Sequence, residues 1–515
     1  MSHQFPITAV IPSVKKSLTE NNTVILQAPP GAGKSTVLPL ALLDESWLGG
    51  KKILLLEPRR LAARAVSGRL AEQLQQSPGE TVGYRIRFES KVGKTTRIEV
   101  VTEGILTRML QQDNSLENTG LVIFDEFHER SLHADLALAL CRESQQILRN
   151  DLRILIMSAT LDGSSLSSLL GNAPVITSEG RQYPIEYRYS EFDDTLTIAQ
   201  NTTRIIHRAM KEQDGDLLVF LPGSGDIHRC KDLLQQSDTE CSIHTLYGDL
   251  PYTEQQAALL PDKSGNRKIV LSTSIAETSL TIEGIKIVVD SGYSRVPRYD
   301  VRSGLTHLET IRVTRDTADQ RAGRAGRLGP GTCYRLWPER THHHLIEHRK
   351  PEILEAELSN MVLELAQWGH SDPGRLNWIT PPPEAALVQA SLLLEQLGAM
   401  EDGRITAQGR KLLQFPTHPR IAHLLLHGKE HNNSAIAADV AALLEERDPL
   451  GRDAGADINL RLDALRQSRN KDRVNADKNA LERVERVSRL WRSQLAVKID
   501  ENAPPHELAG ALIAA

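Results

Sequence analysis

The chain has 515 residues, 40% apolar and 25% charged, with a formal net charge of -5. That length exceeds one hydrophobic core, so three or four domains are expected. The slightly acidic balance excludes a globally basic nucleic-acid binder and leaves only a local basic groove. Aromatic residues make up 4%, which argues against recognition built on many stacked rings. Cys141, Cys230, Cys241 and Cys333 are scattered without a CxxC pair, so neither a disulfide framework nor a zinc site is indicated. Met1–Val10 lacks the basic and apolar regions of a secretory signal, and no apolar run approaches the roughly 20 residues a bilayer requires. A cytoplasmic protein without membrane contact is expected.

In chain order, the first third alternates short apolar runs with helical stretches. Thr23–Gln27, Ile53–Glu57, Arg97–Val101, Leu121–Asp125 and Arg153–Met157 are predicted strands. Such continuous runs suit a parallel sheet covered on both faces. Gly180 and Pro184 interrupt the pattern within Glu179–Tyr189. A second series follows at Leu217–Leu221, Ile243–Tyr247, Lys268–Ser272, Ile285–Asp290 and Thr332–Leu336. The expected fold class is therefore α/β, with two α/β units in tandem. Beyond residue 345 the strand signal fades. Leu354–Trp368 and Glu384–Leu397 read as amphipathic helices, and Gly398–Phe415 as a small β-wing joined to a helix. From 417 onward the chain reads as helical, and the charged stretch Arg461–Arg492 as mostly a solvated helix face. Glu507–Ala515 is an apolar helical stretch without a cap or polar tail, which reads as a truncated end, with a true terminus as the alternative.

Four segments carry chemistry. Ala28-Pro-Pro30-Gly31-Ala32-Gly33-Lys34-Ser35-Thr36 follows a strand and opens a helix. Glycines let backbone N–H groups curl around a phosphate, Lys34 reaches the β/γ-phosphates, and Ser35 is placed to ligate Mg²⁺. Ala28 stands where the strict pattern has Gly, and the bland alternative is a Gly-rich turn. Asp125-Glu126-Phe-His128 ends another apolar strand. Asp125 would hold Mg²⁺ through water, and Glu126 would orient and deprotonate an attacking water. His128 would relay the nucleotide state to the second unit, or serve as a neutral structural histidine. Ser158-Ala-Thr160, one strand later, is a weak signal alone. Gln320-Arg-Ala-Gly-Arg324-Ala-Gly-Arg327 places arginines at helical spacing. They would neutralise a γ-phosphate transition state from the facing unit, or form a basic helix face for nucleic acid. Arg321 points differently from the other two.

These segments, with "EPRRLAA", "TEGIL" and "STSIAETSLTIEGI", occur in the order and positions found in the DEAH/RHA helicases of superfamily 2. The chain resembles that family, and its "DEFH" spelling resembles a bacterial branch of it. The motif set spans residues 28 to 327, and the likeness continues to the chain end.

The resemblance implies two RecA-like P-loop domains followed by a winged-helix domain and a helical bundle, at 1–180, 181–342, 343–416 and 417–515. It implies ATP, or any nucleoside triphosphate, with Mg²⁺ as cofactor. Pro30 to Thr36 would bind it, with Ser35 and Asp125 toward the metal. Gln320, Arg324 and Arg327 would reach the γ-phosphate and attacking water, and Ser158 and Thr160 would couple hydrolysis to strand movement. Arg59, Arg60, Thr102, Thr273 and Thr281 would line the strand path. Ser274 stands where many relatives have Asn. Leu259 stands near the position of a base-packing aromatic, so little preference for adenine is expected. Asp290–Gln320 resembles the family's β-hairpin, with Arg295, Arg298, Arg302 and Arg312 forming a fork wedge or merely a solvated basic surface.

The implied activity is an ATP-driven helicase or translocase, moving 3′ to 5′ on single-stranded RNA, with DNA as the alternative track. Two further readings are an RNA-stimulated ATPase that remodels RNA–protein complexes, and a non-catalytic nucleic-acid scaffold. The scaffold predicts decay of Lys34, Asp125, Glu126, Gln320, Arg324 and Arg327, all of which are present. A monomer is expected, and no accessory activator can be read from the residues.

Overall fold

The computed structural model describes residues 5–87, 89–159, 163–180, 183–237, 241–262, 264–277, 282–300, 305–327, 329–499 and 506–514. Eight strands form the first sheet: β1 (Thr23–Gln27), β2 (Lys52–Glu57), β3 (Val82–Ile86), β4 (Glu89–Lys91), β5 (Ile98–Thr102), β6 (Thr119–Phe124), β7 (Arg153–Ser158) and β8 (Val175–Thr177). Their spatial order is β4-β3-β5-β2-β6-β7-β1-β8, parallel except for the β3–β4 pair. The five strands predicted here are all present, displaced by at most two residues at either end. Their residues are buried on both faces, as Leu54, Leu55, Leu56, Val122, Ile123 and Phe124 show, which is why the runs are continuously apolar.

The second sheet contains β9 (Ile185–Tyr189), β10 (Asp216–Phe220), β11 (Ser242–Leu246), β12 (Lys268–Ser272), β13 (Ile285–Asp290) and, after a hairpin, β16 (Gly331–Arg335). Its order is β11-β12-β10-β13-β16-β9. Along β10, Leu217 and Val219 enter one core while Leu218 and Phe220 enter another. The hairpin strands β14 (Tyr293–Asp300) and β15 (Leu305–Arg312) pair antiparallel in unbroken register from Tyr293↔Arg312 to Asp300↔Leu305.

Contacts gather these elements into one compact unit, residues 1–356 with 376–381. It runs past the boundary expected at 342 because 346–352 is tied in. Ile346 and Glu347 accept backbone bonds from Arg315 and Asp316, and the Glu352 N–H donates to the Arg130 carbonyl at 3.0 Å.

The other unit comprises 357–375 and 382–515. It holds helices Ser359–Trp368 and Glu384–Gln396, a wing of β17 (Met400–Glu401) and β18 (Arg404–Ile405), helix Ala407–Leu412, and a helical remainder. The first helix starts at Ser359, five residues later than predicted, with a separate 3-10 turn at Glu352–Leu354. The charged stretch is mostly solvated, as expected, with most of its charged residues exposed and two exceptions. Arg461 and Arg492 are buried. Asp439 accepts from both Arg469 nitrogens at 2.6 and 2.8 Å and from Arg492 at 3.0 Å. Charges buried in a bundle must be paired, and here they pair with one another. Among the described residues, no helix is long and apolar enough to cross a membrane.

Candidate active site

The phosphate loop leaves β1 with Gly31 at φ +85° and Gly33 at φ +90°, both left-handed. Ala28 N–H donates to the Ser158 carbonyl at 3.0 Å, tying the loop to the end of β7. Regular α-helix begins only at Leu38 and lasts to Ala41. Pro39 supplies the reason, since it has no N–H to offer the preceding turn.

Lys34 is buried, with its ammonium 3.0 Å from Glu126 Oε2 and 3.5 Å from Asp125 Oδ1. Burial alone would lower its pKa, but Glu126 and Asp125 overcome that and raise it. Ser35 Oγ donates to Asp125 Oδ2 in a short bond. A hydroxyl and a carboxylate at the same spot form an oxygen-only donor set, which fits Mg²⁺ and its retained waters.

Glu126 has φ +48°, a left-handed conformation for a residue with a Cβ. Such geometry costs roughly 1–3 kcal/mol and persists where surrounding contacts impose it. Here the Glu126 N–H donates to Asp125 Oδ1 at 2.8 Å. Burial would raise the Glu126 pKa, yet Lys34 and His128 outweigh it and hold it at about 2. It is thus ionised, as a group that orients a water and takes its proton must be. Burial pushes the Asp125 carboxyl up, with Lys34 opposing.

His128 is buried and its pKa lowered by that burial, with Glu126 opposing. The Ala159 N–H donates to His128 Nδ1 at 3.4 Å. The same Nδ1 lies 3.6 Å from Glu126 Oε2, so the ring joins that carboxylate to the Ser158-Ala159 segment. It also faces a small cavity lined by Glu277, Thr317, Gln320 and Arg349 of the second sheet's domain. Thr160 lies outside the described residues.

From the second domain, Arg327 reaches the phosphate loop, since a Cβ built on Gly31 would stand 2.9 Å from its Nε. Arg324 is buried and donates from Nε to the Glu277 carbonyl at 2.9 Å. Burial, reinforced by Arg327, lowers its pKa to about 9, with Glu126 opposing. Gln320, Arg327, Pro29, Pro30, Ala159 and Tyr187 line a 460 Å³ cleft between the two domains. Arg321 does point elsewhere. It is fully buried, donating to Glu277 Oε1 at 2.7 Å and to Asp290 Oδ1 at 2.7 Å.

Three residues escaped the sequence reading. Glu277 binds Arg321 and also Arg349, at 2.6 Å, and so anchors the arginine segment. Arg349 lies beyond the last motif and carries no signal in sequence. Glu57 ends β2 and is wholly buried, its pKa raised by burial and by Asp125 and Glu126. A carboxylate closing an apolar strand is the signal that could have found it.

Four of the five expected strand-path residues lie at C-terminal strand ends: Arg59 and Arg60 after β2, Thr102 at the end of β5, and Thr273 after β12. Arg60 is exposed, whereas Thr102 and Thr273 are half-buried. Arg59 is otherwise engaged, donating to the Ser274 carbonyl at 2.5 Å and pairing with Glu129 at 3.2 Å. It bridges the two domains. Thr281 lies outside the described residues. Leu259 is partly buried and packs against the second domain's core. In the hairpin, Arg298 pairs with Glu309 at 3.0 Å and Arg312 lies over the Tyr293 ring. Arg302 lies outside the described residues.

Two RecA-like domains, one supplying the phosphate loop and carboxylates and the other buried arginines, define a helicase-type P-loop protein. Residues 8–169 match the DEAD/DEAH box helicase family and residues 199–329 the helicase conserved C-terminal domain. The chain belongs to the DEAD/DEAH box helicases. It is 49% identical over 453 residues to the ATP-dependent RNA helicase HrpB of Escherichia coli (strain K12), covering 87% of this chain and 55% of that protein. It is 35% identical over 462 residues to the ATP-dependent RNA helicase HrpA of the same strain, covering 87% of this chain and 35% of that one. A crystal structure of Escherichia coli DEAH/RHA helicase HrpB superposes with a TM-score of 0.87 at 44% identity, over 99% of this chain and 63% of the other. A crystal structure of the E. coli DExH-box NTPase HrpB superposes at 0.82 with 44% identity, over 100% and 61%. The chain thus spans about half the length of the first of these relatives and about a third of the second.

Proposed function

We propose that the chain is the motor portion of a cytoplasmic ATP-dependent RNA helicase or translocase, with Mg²⁺ as cofactor and single-stranded RNA as track. The observation that carries this reading is the split phosphate site. Arg327 reaches Gly31 from the opposite domain, over an ionised Glu126 and the buried Lys34.

Glu126 orients and deprotonates the water that attacks the γ-phosphorus, and the bond to the leaving β,γ-bridging oxygen breaks. Lys34, Arg324 and Arg327 take up the charge spread over the phosphoryl oxygens. Ser35 and Asp125 would hold Mg²⁺, which supplies further neutralisation at the β- and γ-oxygens when bound. A triphosphate binds both halves and favours the closed pair; hydrolysis and phosphate release remove that bias. Arg60, Thr102 and Thr273 hold the strand through its backbone, so that each cycle advances it, in the 3′ to 5′ direction, without reading sequence. The protein works as a monomer, because one chain supplies both halves of the pocket.

Steady-state ATPase activity with and without single-stranded RNA or DNA tests this, with Glu126→Gln as control. Stimulation by RNA above DNA, absent in the variant, supports the RNA motor. Hydrolysis indifferent to both polymers overturns the assignment of the track.

A further inference from the structure

Glu57 is 0% exposed; its side-chain contact is with the Asp125 carboxyl group, and no N–H or hydroxyl donor reaches either of its oxygens. Burying a carboxyl without a donor is costly, so such a group calls for an account. Its position is imposed by the sheet. Leu56 pairs with Phe124 across β2 and β6, and the Asp125 N–H donates to the Leu56 carbonyl at 3.1 Å. Glu57 is therefore set beside Asp125, and Pro58 keeps its backbone extended. The polar groups acting on it are Asp125, Glu126 and Lys34.

Charge counting follows from that neighbourhood. Three carboxyl groups (Glu57, Asp125 and Glu126) share one buried ammonium, Lys34. Among the described residues, no three His, Cys, Asp or Glu side chains converge closely enough to ligate a metal directly. Mg²⁺ keeps several of its waters, and those waters donate hydrogen bonds.

We propose that Glu57 is a positioning residue for the nucleotide-bound Mg²⁺, its orphaned oxygens accepting hydrogen bonds from metal-bound water beside Asp125. This rests on the reading of Ser35 and Asp125 as the metal-facing pair. Glu57 would help to orient the hydrated ion when it is bound, as outer-shell acceptors do at metal sites.

The test is the affinity for mant-ADP measured with Mg²⁺ and again in EDTA, in the wild type, Glu57→Gln and Asp125→Asn. The ratio of the two affinities isolates the metal's share without any turnover. Glu57→Gln is expected to reduce that ratio about tenfold, within the range for outer-shell partners, while mant-ADP binding in EDTA stays within about twofold. A ratio equal to the wild type's overturns the proposal and leaves Glu57 a buried structural acid. No Mg²⁺ dependence in the wild type, or none lost in Asp125→Asn, overturns the underlying metal assignment instead. Should Glu57→Gln fail to fold by circular dichroism, Glu57→Asp, which withdraws the carboxylate by one methylene, is judged by the same ratio.

Discussion

Arg327 lies against Gly31: a Cβ at residue 31 would stand 2.9 Å from the arginine Nε. One domain's arginine segment thus rests on the other's phosphate loop at a point where only a hydrogen fits. Gly31 also sits at φ +85°, where side chains are strained by roughly 1–2 kcal/mol. Gly31→Ala is expected to lower ATPase kcat about tenfold, with a melting temperature within a few degrees of wild type. Unchanged turnover would show that the contact is dispensable.

Glu126 is held ionised at about 2 by Lys34 and His128 against its own burial. Glu126→Gln keeps the shape and removes the base. Its kcat is expected to fall by about 10²–10⁴, with mant-ATP affinity within a few-fold of wild type. Turnover above a tenth of the wild type's would remove Glu126 from the catalytic role.

Arg59 separates two readings. A strand-path residue would change the RNA concentration needed for half-maximal stimulation and leave basal hydrolysis alone. A domain bridge through Ser274 and Glu129 would change basal hydrolysis. Arg59→Ala is expected to lower RNA-free ATPase by about threefold to tenfold. An effect confined to the RNA dependence would restore the original reading.

Glu277 gives a pH prediction. Burial would raise its pKa, but Arg349, Arg321 and Arg59 hold it at about 2, below the ordinary 4.5. A depressed carboxyl stabilises the fold above its unfolded pKa, and that stability is lost as pH falls toward the folded value. The wild type should therefore lose stability between pH 4.5 and about 2. Glu277→Gln should be less stable at pH 7 and show a flatter decline over that window in urea melts. Parallel curves for the two proteins would refute the linkage.

Asp439 anchors Arg469 and Arg492 within the helical unit. Asp439→Ala leaves both guanidinium groups underpaired and is expected to cost about 3 kcal/mol, read by urea unfolding. A loss below about 1 kcal/mol would mean water restores the pairing.

The motif-bearing strands were legible because a strand buried on both faces must be apolar throughout, and its end is marked by the polar residue it delivers. Lys34, Asp125 and Glu126 were found that way. β3, β4, β8 and β9 were not. β4, β8 and β9 are edge strands with one partner each, and their residues are mixed in polarity. Arg59 was assigned by its position in a motif, which fixes a residue's neighbourhood in the chain but not what packs on it. Most charges of Arg461–Arg492 are solvated, as their regular spacing along a helix suggests; that Arg469 and Arg492 turn inward to Asp439 is decided only by the packed bundle.

The sequence by itself determined two P-loop-type α/β domains, the phosphate loop, the paired carboxylates and the arginine segment, because each depends on local spacing and strand polarity. Only the tertiary structure decided that Arg327 meets Gly31, that Glu277 gathers Arg321, Arg324 and Arg349, and that Glu57 faces Asp125 without a donor. Those relationships join residues dozens to hundreds of positions apart, and electrostatics between buried groups depends on their distance and dielectric surroundings, neither of which is written in local order.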